Sequence, residues 1–249
     1  MVKLAVAVLT LGGIFMADPA MASDGYENRA ALLFAYRISD APKFDAAYRE
    51  HLGWHRDHQD HLTWYGWYVI AGARTGMFVD GTFGGDFAAI DRRPDPAGDA
   101  QHFLSGAALH STAVVYNAWT LWPGPSTDFS LEDQKPTAMI DALLVTPRSG
   151  EARAFERALL GAARNRGNGR FCWTWYRAAA GALLPSYLVL IPRDNWAVLA
   201  GRSATIGGLA AAAFRMNAAD IERLDALVAN VEAETWRYRP DLSLMGPKD

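Results

Sequence analysis

The apolar run from Ala30 to Ile38 predicts a strand, and Ser39-Asp40-Ala41-Pro42 after it is a helix start, with Asp or Ser as cap and Pro in the first turn. Phe44, Ala47, Tyr48, His51, Leu52 and His55 then recur at helical spacing. Leu62 to Ala73 predicts a second strand dense in aromatic rings. Gly76 to Thr82 predicts a third, reached through a turn at Arg74-Thr75-Gly76 and ending at Gly84-Gly85. A helical region broken by Pro94 and Pro96 resumes over Asp99 to Leu109, and Ser111 to Trp122 is the next strand.

The pattern then repeats. Ala31-Leu32-Leu33 with Arg37 returns as Ala142-Leu143-Leu144 with Arg148, Phe44-Asp45 as Phe155-Glu156, and Thr63-Trp64-Tyr65 as Thr174-Trp175-Tyr176, all at an offset of 111. Such self-similarity implies a repeated folding unit. The second unit is expected as strand 138–146, helix 151–164, strands 170–180 and 186–191, helix 218–231 capped by Asn217, and a last strand 234–238. Each unit has the βαββαβ order, which is ferredoxin-like. The expected division is a first repeat over 23–124, a linker over 125–137 punctuated by proline, and a second repeat over 138–249.

This element order, the strand rich in Trp and Tyr, and the closing Trp236-Arg237-Tyr238-Arg239-Pro240 segment resemble the dimeric α/β barrel superfamily, in a fused form where one chain supplies both halves. The resemblance implies an α+β protein in which two ferredoxin-like repeats pack sheet to sheet as a pseudo-dimeric barrel. That superfamily includes haem-degrading monooxygenases, chlorite dismutase-like and dye-decolourising peroxidases, and small cyclases and isomerases, so fold alone does not select a reaction. Its peroxidase-like members carry haem in the C-terminal half, where this chain has no histidine.

The first residues change the picture of location. Lys3, an apolar run from Leu4 to Met16 and Ala20-Met21-Ala22 before Ser23 have the layout of a secretory signal peptide, so 1–22 is expected to be removed and the protein to be periplasmic or secreted. The run is shorter than the roughly 20 residues needed to span a bilayer, and no membrane partner is expected after cleavage. The formal charge of −3 with no run of like charge argues against a nucleic-acid partner. Cys172, the sole cysteine, allows no internal disulfide and is expected to be a packed thiol.

Candidate chemistry is concentrated in the first repeat, which holds all six histidines. The positions aligned with His51, His55, His58 and His61 are Ala162, Arg166, Gly169 and Cys172. His51, His55 and His58 share one helical face and form a candidate metal set, with Asp57 or His61 to complete the shell. The competing expectation is a solvated helix end whose last turn favours such side chains. His102 and His110 are candidate catalytic residues or haem ligands, and Asp80, in the Gly-rich segment Asp80 to Asp86, is a candidate general base. Tyr65, Trp67, Asn117 and Trp119 are candidate substrate-binding residues, since a wall of Trp and Tyr with a few polar tips suits a planar apolar ligand. Arg37 and Arg148, present in both units, fit a structural role. Without a GxSxG or HExxH motif, hydrolase chemistry ranks low. The expected function is therefore binding of a small, largely apolar or aromatic molecule in the first repeat, with acid/base activity of the isomerase, cyclase or monooxygenase kind. A haem or transition-metal protein, and a non-enzymatic interaction module, are the alternatives.

Overall fold

A computed structural model of the chain describes residues 25–166 and 171–247, apart from the side chains at 113 and 114. The expected signal peptide lies outside the described residues. The first half runs β1 (Arg29–Ile38), α1 (Ala41–Asp57), β2 (Thr63–Ala71), β3 (Met77–Asp86), α2 (Phe87–Asp91), α3 (Pro96–Ser105) and β4 (Ser111–Leu121). The second runs β5 (Met139–Pro147), α4 (Ala152–Ala163), β6 (Thr174–Ala180), β7 (Tyr187–Arg193), α5 (Ile206–Ala213), α6 (Ala218–Ala226) and β8 (Val228–Tyr238). Among the described residues no helix is long and apolar enough to cross a membrane.

The strands close into one antiparallel barrel in the order β1-β3-β2-β8-β5-β7-β6-β4. Each half contributes four strands in the same spatial order, β4-β1-β3-β2 and β8-β5-β7-β6. The halves join edge to edge, through Trp67↔Tyr238 to Ala71↔Thr235 at one seam and Ala118↔Ala180 to Leu121↔Tyr176 at the other. Closure leaves no strand edge exposed to pair with another chain. It also gives every strand an inward and an outward face, so successive side chains alternate between two different cores.

The inward set includes Tyr65, Trp67, Val69, Phe83, Trp119, Tyr176 and Trp236, all buried in the barrel interior. On the outer face of the second half, Trp175 and Val189 pack under Phe155 and Leu159 of α4, Leu209 of α5 and Leu224 of α6. On the outer face of the first half, Tyr36, Trp64 and Phe78 pack under Phe44, Tyr48 and Leu52 of α1. The offset of 111 holds through the starts of β2 at Thr63 and β6 at Thr174. Beyond them the hairpins differ in length. Phe34 pairs with Asp80 while Val145 pairs with Tyr187, so Tyr187 occupies in the second half the place of Asp80 in the first.

Several expectations are corrected. The helix expected over 218–231 stops at Ala226, because Val228 to Val231 pair along β5 as the start of a longer β8. The helix expected from Asp99 begins at Pro96, capped by Asp95, whose Oδ1 accepts from the Gly98 amide at 3.0 Å. Segment 206–213 is a helix that its Gly- and Ala-rich sequence, lacking amphipathic period, did not announce. Cys172 is exposed, since β6 begins two residues later. Within the segment that joins β4 to β5, Leu131 enters the barrel core, and Glu132 accepts from the Tyr176 hydroxyl at 2.8 Å and the Gly84 amide at 2.8 Å.

The C-terminal segment straps the first half. Trp64 and Leu244 exchange backbone hydrogen bonds of 2.8 and 2.7 Å, and the Arg239 amide donates to the Gly66 carbonyl at 2.9 Å. Arg239 also reaches Asp45 of α1 at 2.8 Å, and Arg49 of α1 pairs with Asp241 at 2.7 Å. A Cβ on Gly66 would overlap the Leu242 carbonyl oxygen, a backbone atom. Gly66→Ala is therefore expected to cost about 1–3 kcal/mol by overpacking, measured as a lowered midpoint in urea unfolding; an unchanged midpoint would show that the strap is not held against β2.

Candidate functional site

The first-half outer face is not closed by apolar packing as the second-half face is. Between the sheet and helices α1 and α3 lies a cavity of about 310 Å³. Its walls include Phe34, Trp64 and Phe103, and its polar groups are Tyr36, Tyr48, His51, His55, Asp80, Arg93 and Asp99. Leu104, 63% exposed, sits at the rim. The buried stripe of α1 is Phe44, Tyr48, His51, Leu52 and His55, so the helix turns a polar edge toward this space.

Asp80 forms the floor. Its Oδ2 accepts from the Tyr48 hydroxyl at 2.7 Å and faces the Tyr36 hydroxyl at 3.4 Å, while its Oδ1 has no protein partner. Burial pushes the Asp80 carboxyl up to about 7, with the tyrosine hydrogen bonds pulling the other way and the negative Asp99 adding to the rise. The same burial holds both phenols well above their usual range.

The roof is a histidine–carboxylate cluster. His51 Nε2 and His55 Nε2 lie 3.3 and 3.4 Å from the same oxygen, Asp99 Oδ1, and the three ligand atoms all lie within 4.8 Å of one another. Behind them, His55 Nδ1 meets Asp60 Oδ2 at 2.8 Å and His51 Nδ1 meets His102 Nδ1 at 3.2 Å. Asp60 also accepts from the Leu62 amide at 3.0 Å and from Trp64 Nε1 at 2.9 Å. Burial alone would raise Asp60, but these hydrogen bonds outweigh it and hold the carboxyl below its ordinary range. Asp99 is likewise held low by His51 and His55 against the rise from burial. Burial lowers His51 below the usual imidazole value, more than Asp99 raises it.

The structure brings together Asp80, His51 and His55, with His102 behind His51, and separates the other sequence candidates from them. The expectation that the histidine row is solvated is corrected for His51 and His55, 6% and 3% exposed, because α3 docks over them. His58 departs from the expected metal set. It is the C-cap of α1, where the helical direction ends, and its exposed ring stacks on Trp54 at 3.9 Å and turns back to the Trp54 carbonyl. Asp57 does not join the cluster, and His61 contacts the Ala89 carbonyl instead. His110 ends a 3-10 turn at Ala107–His110 and lines no described cavity.

Tyr65, Trp67 and Trp119 point into the barrel, on the other side of the sheet from Asp80; the Tyr65 hydroxyl donates to the Leu131 carbonyl at 2.7 Å. Asn117 and Trp119 line a separate hollow of about 290 Å³. The aromatic strand thus serves the cavity through Trp64, not through Tyr65 or Trp67. Sequence reasoning missed Tyr48, Asp60 and Asp99. Tyr48 lies on the same helical stripe as His51 and His55 and was accessible from spacing; Asp99 joins only through the docking of α3. Neither His102 nor His110, the expected haem ligands, lines this cavity.

No protein-family model matches the chain, and no curated protein matches it in sequence. Among solved structures, a candidate monooxygenase from Lactobacillus acidophilus NCFM superposes with a TM-score of 0.55 at 10% identity, over 88% of this chain and 97% of that one. An anthrone oxidase-like protein does so at 0.56 and 9%, over 90% and 96%. A candidate monooxygenase from Fusobacterium nucleatum gives 0.58 and 7%, over 86% and 93%. The fold is that of the dimeric α/β barrels. At these identities the likeness extends to the barrel and not to the residues of the cavity.

The Asp80 shift has a consequence for stability. A carboxyl with a folded pKa near 7 against 3.8 unfolded binds its proton more tightly when folded, so its contribution is full below about pH 3.8 and is lost as pH rises through 7. At 1.36 kcal/mol per unit this is roughly 4 kcal/mol at most. Asp80→Asn is expected to gain about 2–4 kcal/mol relative to the parent between pH 4 and pH 8.5 in urea unfolding at each pH. A difference that does not change with pH would mean that Asp80 is not buried as described.

Proposed function

We propose that the first-half cavity binds a small molecule of one or two rings carrying an ionisable hydroxyl, and that Asp80 takes its proton, with Tyr48 orienting the carboxylate. One observation carries the reading: a buried carboxyl on the cavity floor, poised near pH 7, with Tyr48 on one oxygen and nothing on the other. A general base works best when its pKa lies near the operating pH. The volume is at the low end of ligand pockets, roughly 300–1,000 Å³, and rings such as Phe34, Trp64 and Phe103 suit a planar body. Proton abstraction from such a hydroxyl is a step shared by isomerisation, cyclisation and oxygenation, so the reading is compatible with the monooxygenase and anthrone oxidase names of proteins sharing this fold.

The test is titration of metal-free protein with 4-nitrophenol, followed by the ligand's visible band and by Trp fluorescence. Saturable binding is expected near pH 7, where ligand and Asp80 share one proton, with the band shifted toward the phenolate, and weaker binding at higher pH, where both are anionic. Asp80→Asn is expected to weaken binding near pH 7 about tenfold or more, since a hydrogen bond to a charged group is worth about 1.5–3 kcal/mol, leaving only the pH dependence of the ligand's own ionisation. Binding that survives Asp80→Asn unchanged at every pH would overturn the assignment.

We also propose export, on the strength of the basic, apolar and Ala-x-Ala succession within residues 1–22. Intact mass of protein recovered from a secreting host is expected to lack residues 1–22; retention of Met1 would contradict this.

A further inference from the structure

The histidine–carboxylate roof poses a problem of electron pairs. Asp60, an acceptor, lies against His55 Nδ1, so the hydrogen in that contact belongs to the imidazole, and neutral His55 then carries its lone pair on Nε2. That lone pair faces another acceptor, Asp99 Oδ1. His51 Nε2 approaches the same oxygen, and when His51 gives its Nδ1 hydrogen to His102, a third pair points at the same spot. Three ligand atoms thus converge on one spot in the cavity wall, where either added protons on the imidazoles or a bound cation balances the Asp99 charge.

We propose that this spot binds one divalent first-row transition-metal ion, ligated by His51 Nε2, His55 Nε2 and a carboxylate oxygen of Asp99. Two of the three separations match such an ion, and all three lie within 4.8 Å. An ion with bonds of about 2.0–2.1 Å holds tetrahedral ligands about 3.3–3.4 Å apart, and the two histidine nitrogens stand 3.3 and 3.4 Å from Asp99 Oδ1. Two imidazoles select against calcium and magnesium, which take oxygen ligands. Among the described residues this is the one group of three such side chains that could hold an ion.

The outer contacts have the form that metal sites use. Each ligating ring is fixed through its other nitrogen, His55 by Asp60 and His51 by His102, which sets tautomer and orientation. Three protein ligands leave coordination positions open, and all three line the cavity that Asp80 floors. The proposal rests on the reading of that cavity as the binding site and deepens it. An ion there would accept the hydroxyl oxygen of the bound molecule and ease its ionisation, with Asp80 receiving the proton. The second half cannot copy the site, since Ala162 and Arg166 stand at the aligned positions.

The test uses untagged, chelator-stripped protein dialysed against Zn(II) or Co(II), with bound metal measured by elemental analysis and Co(II) by its visible bands. About one ion per chain is expected, together with a rise in Tm. His55→Ala and Asp99→Asn are expected to abolish both, and Asp60→Asn to weaken affinity by about 10–100-fold. His58→Ala, which removes an exposed imidazole, is expected to leave binding unchanged. Less than a tenth of an ion per chain, binding that persists in Asp99→Asn, or binding lost in His58→Ala would each overturn the proposal. The 4-nitrophenol titration of metal-free protein is read separately, so failure of the metal site and failure of the cavity assignment are distinguishable.

Discussion

Closing the strands into a barrel commits each one to two environments at once, and everything else in this molecule follows from that commitment. The inward faces fill a shared interior with Tyr65, Trp67, Trp119, Tyr176 and Trp236, leaving little freedom to any of them. Variation is confined to the outward faces, where helices can sit closer or further off. Function therefore has room on the outside of the sheet, beneath a helix.

The two outer faces use that room in opposite ways. In the second half, α4, α5 and α6 lay Leu159, Ala162, Leu209 and Leu224 over the sheet and complete an apolar core. In the first half the matching positions of α1 hold Tyr48 and His51, the matching place on the sheet holds Asp80 where the second half has Tyr187, and α3 spans a gap instead of filling it. Burying polar groups this way is costly unless each finds a partner. The network supplies them through Asp60, Trp64 and Tyr48, and what it leaves over, Asp80 Oδ1 and the facing acceptors around Asp99, is where chemistry is expected.

Rigidity in this half comes from the strap. Residues 239 to 246 lie along β2 beyond the point where β8 leaves it, and their ion pairs with Asp45 and Arg49 hold α1 in register over the sheet. Since Tyr48, His51 and His55 all ride on α1, the strap fixes the distance between floor and roof. A site carried on a helix tied down in this way is better held than one on loops.

The chain by itself determined the order of the eight strands and the concentration of histidines in one half. The former follows from periodicities of two and 3.6 that act over a few residues. The boundary of α6 was hidden because pairing with β5 overrode local helical preference, and His58 seemed to continue the histidine row because spacing cannot show where a helix ends. Only the tertiary structure decided which candidates meet. It placed Trp67 and Trp119 across the sheet from Asp80 and brought Asp99 and Asp60 to the histidines. The physical reason is that helix docking and barrel closure set distances between residues far apart in the chain, which no local pattern encodes.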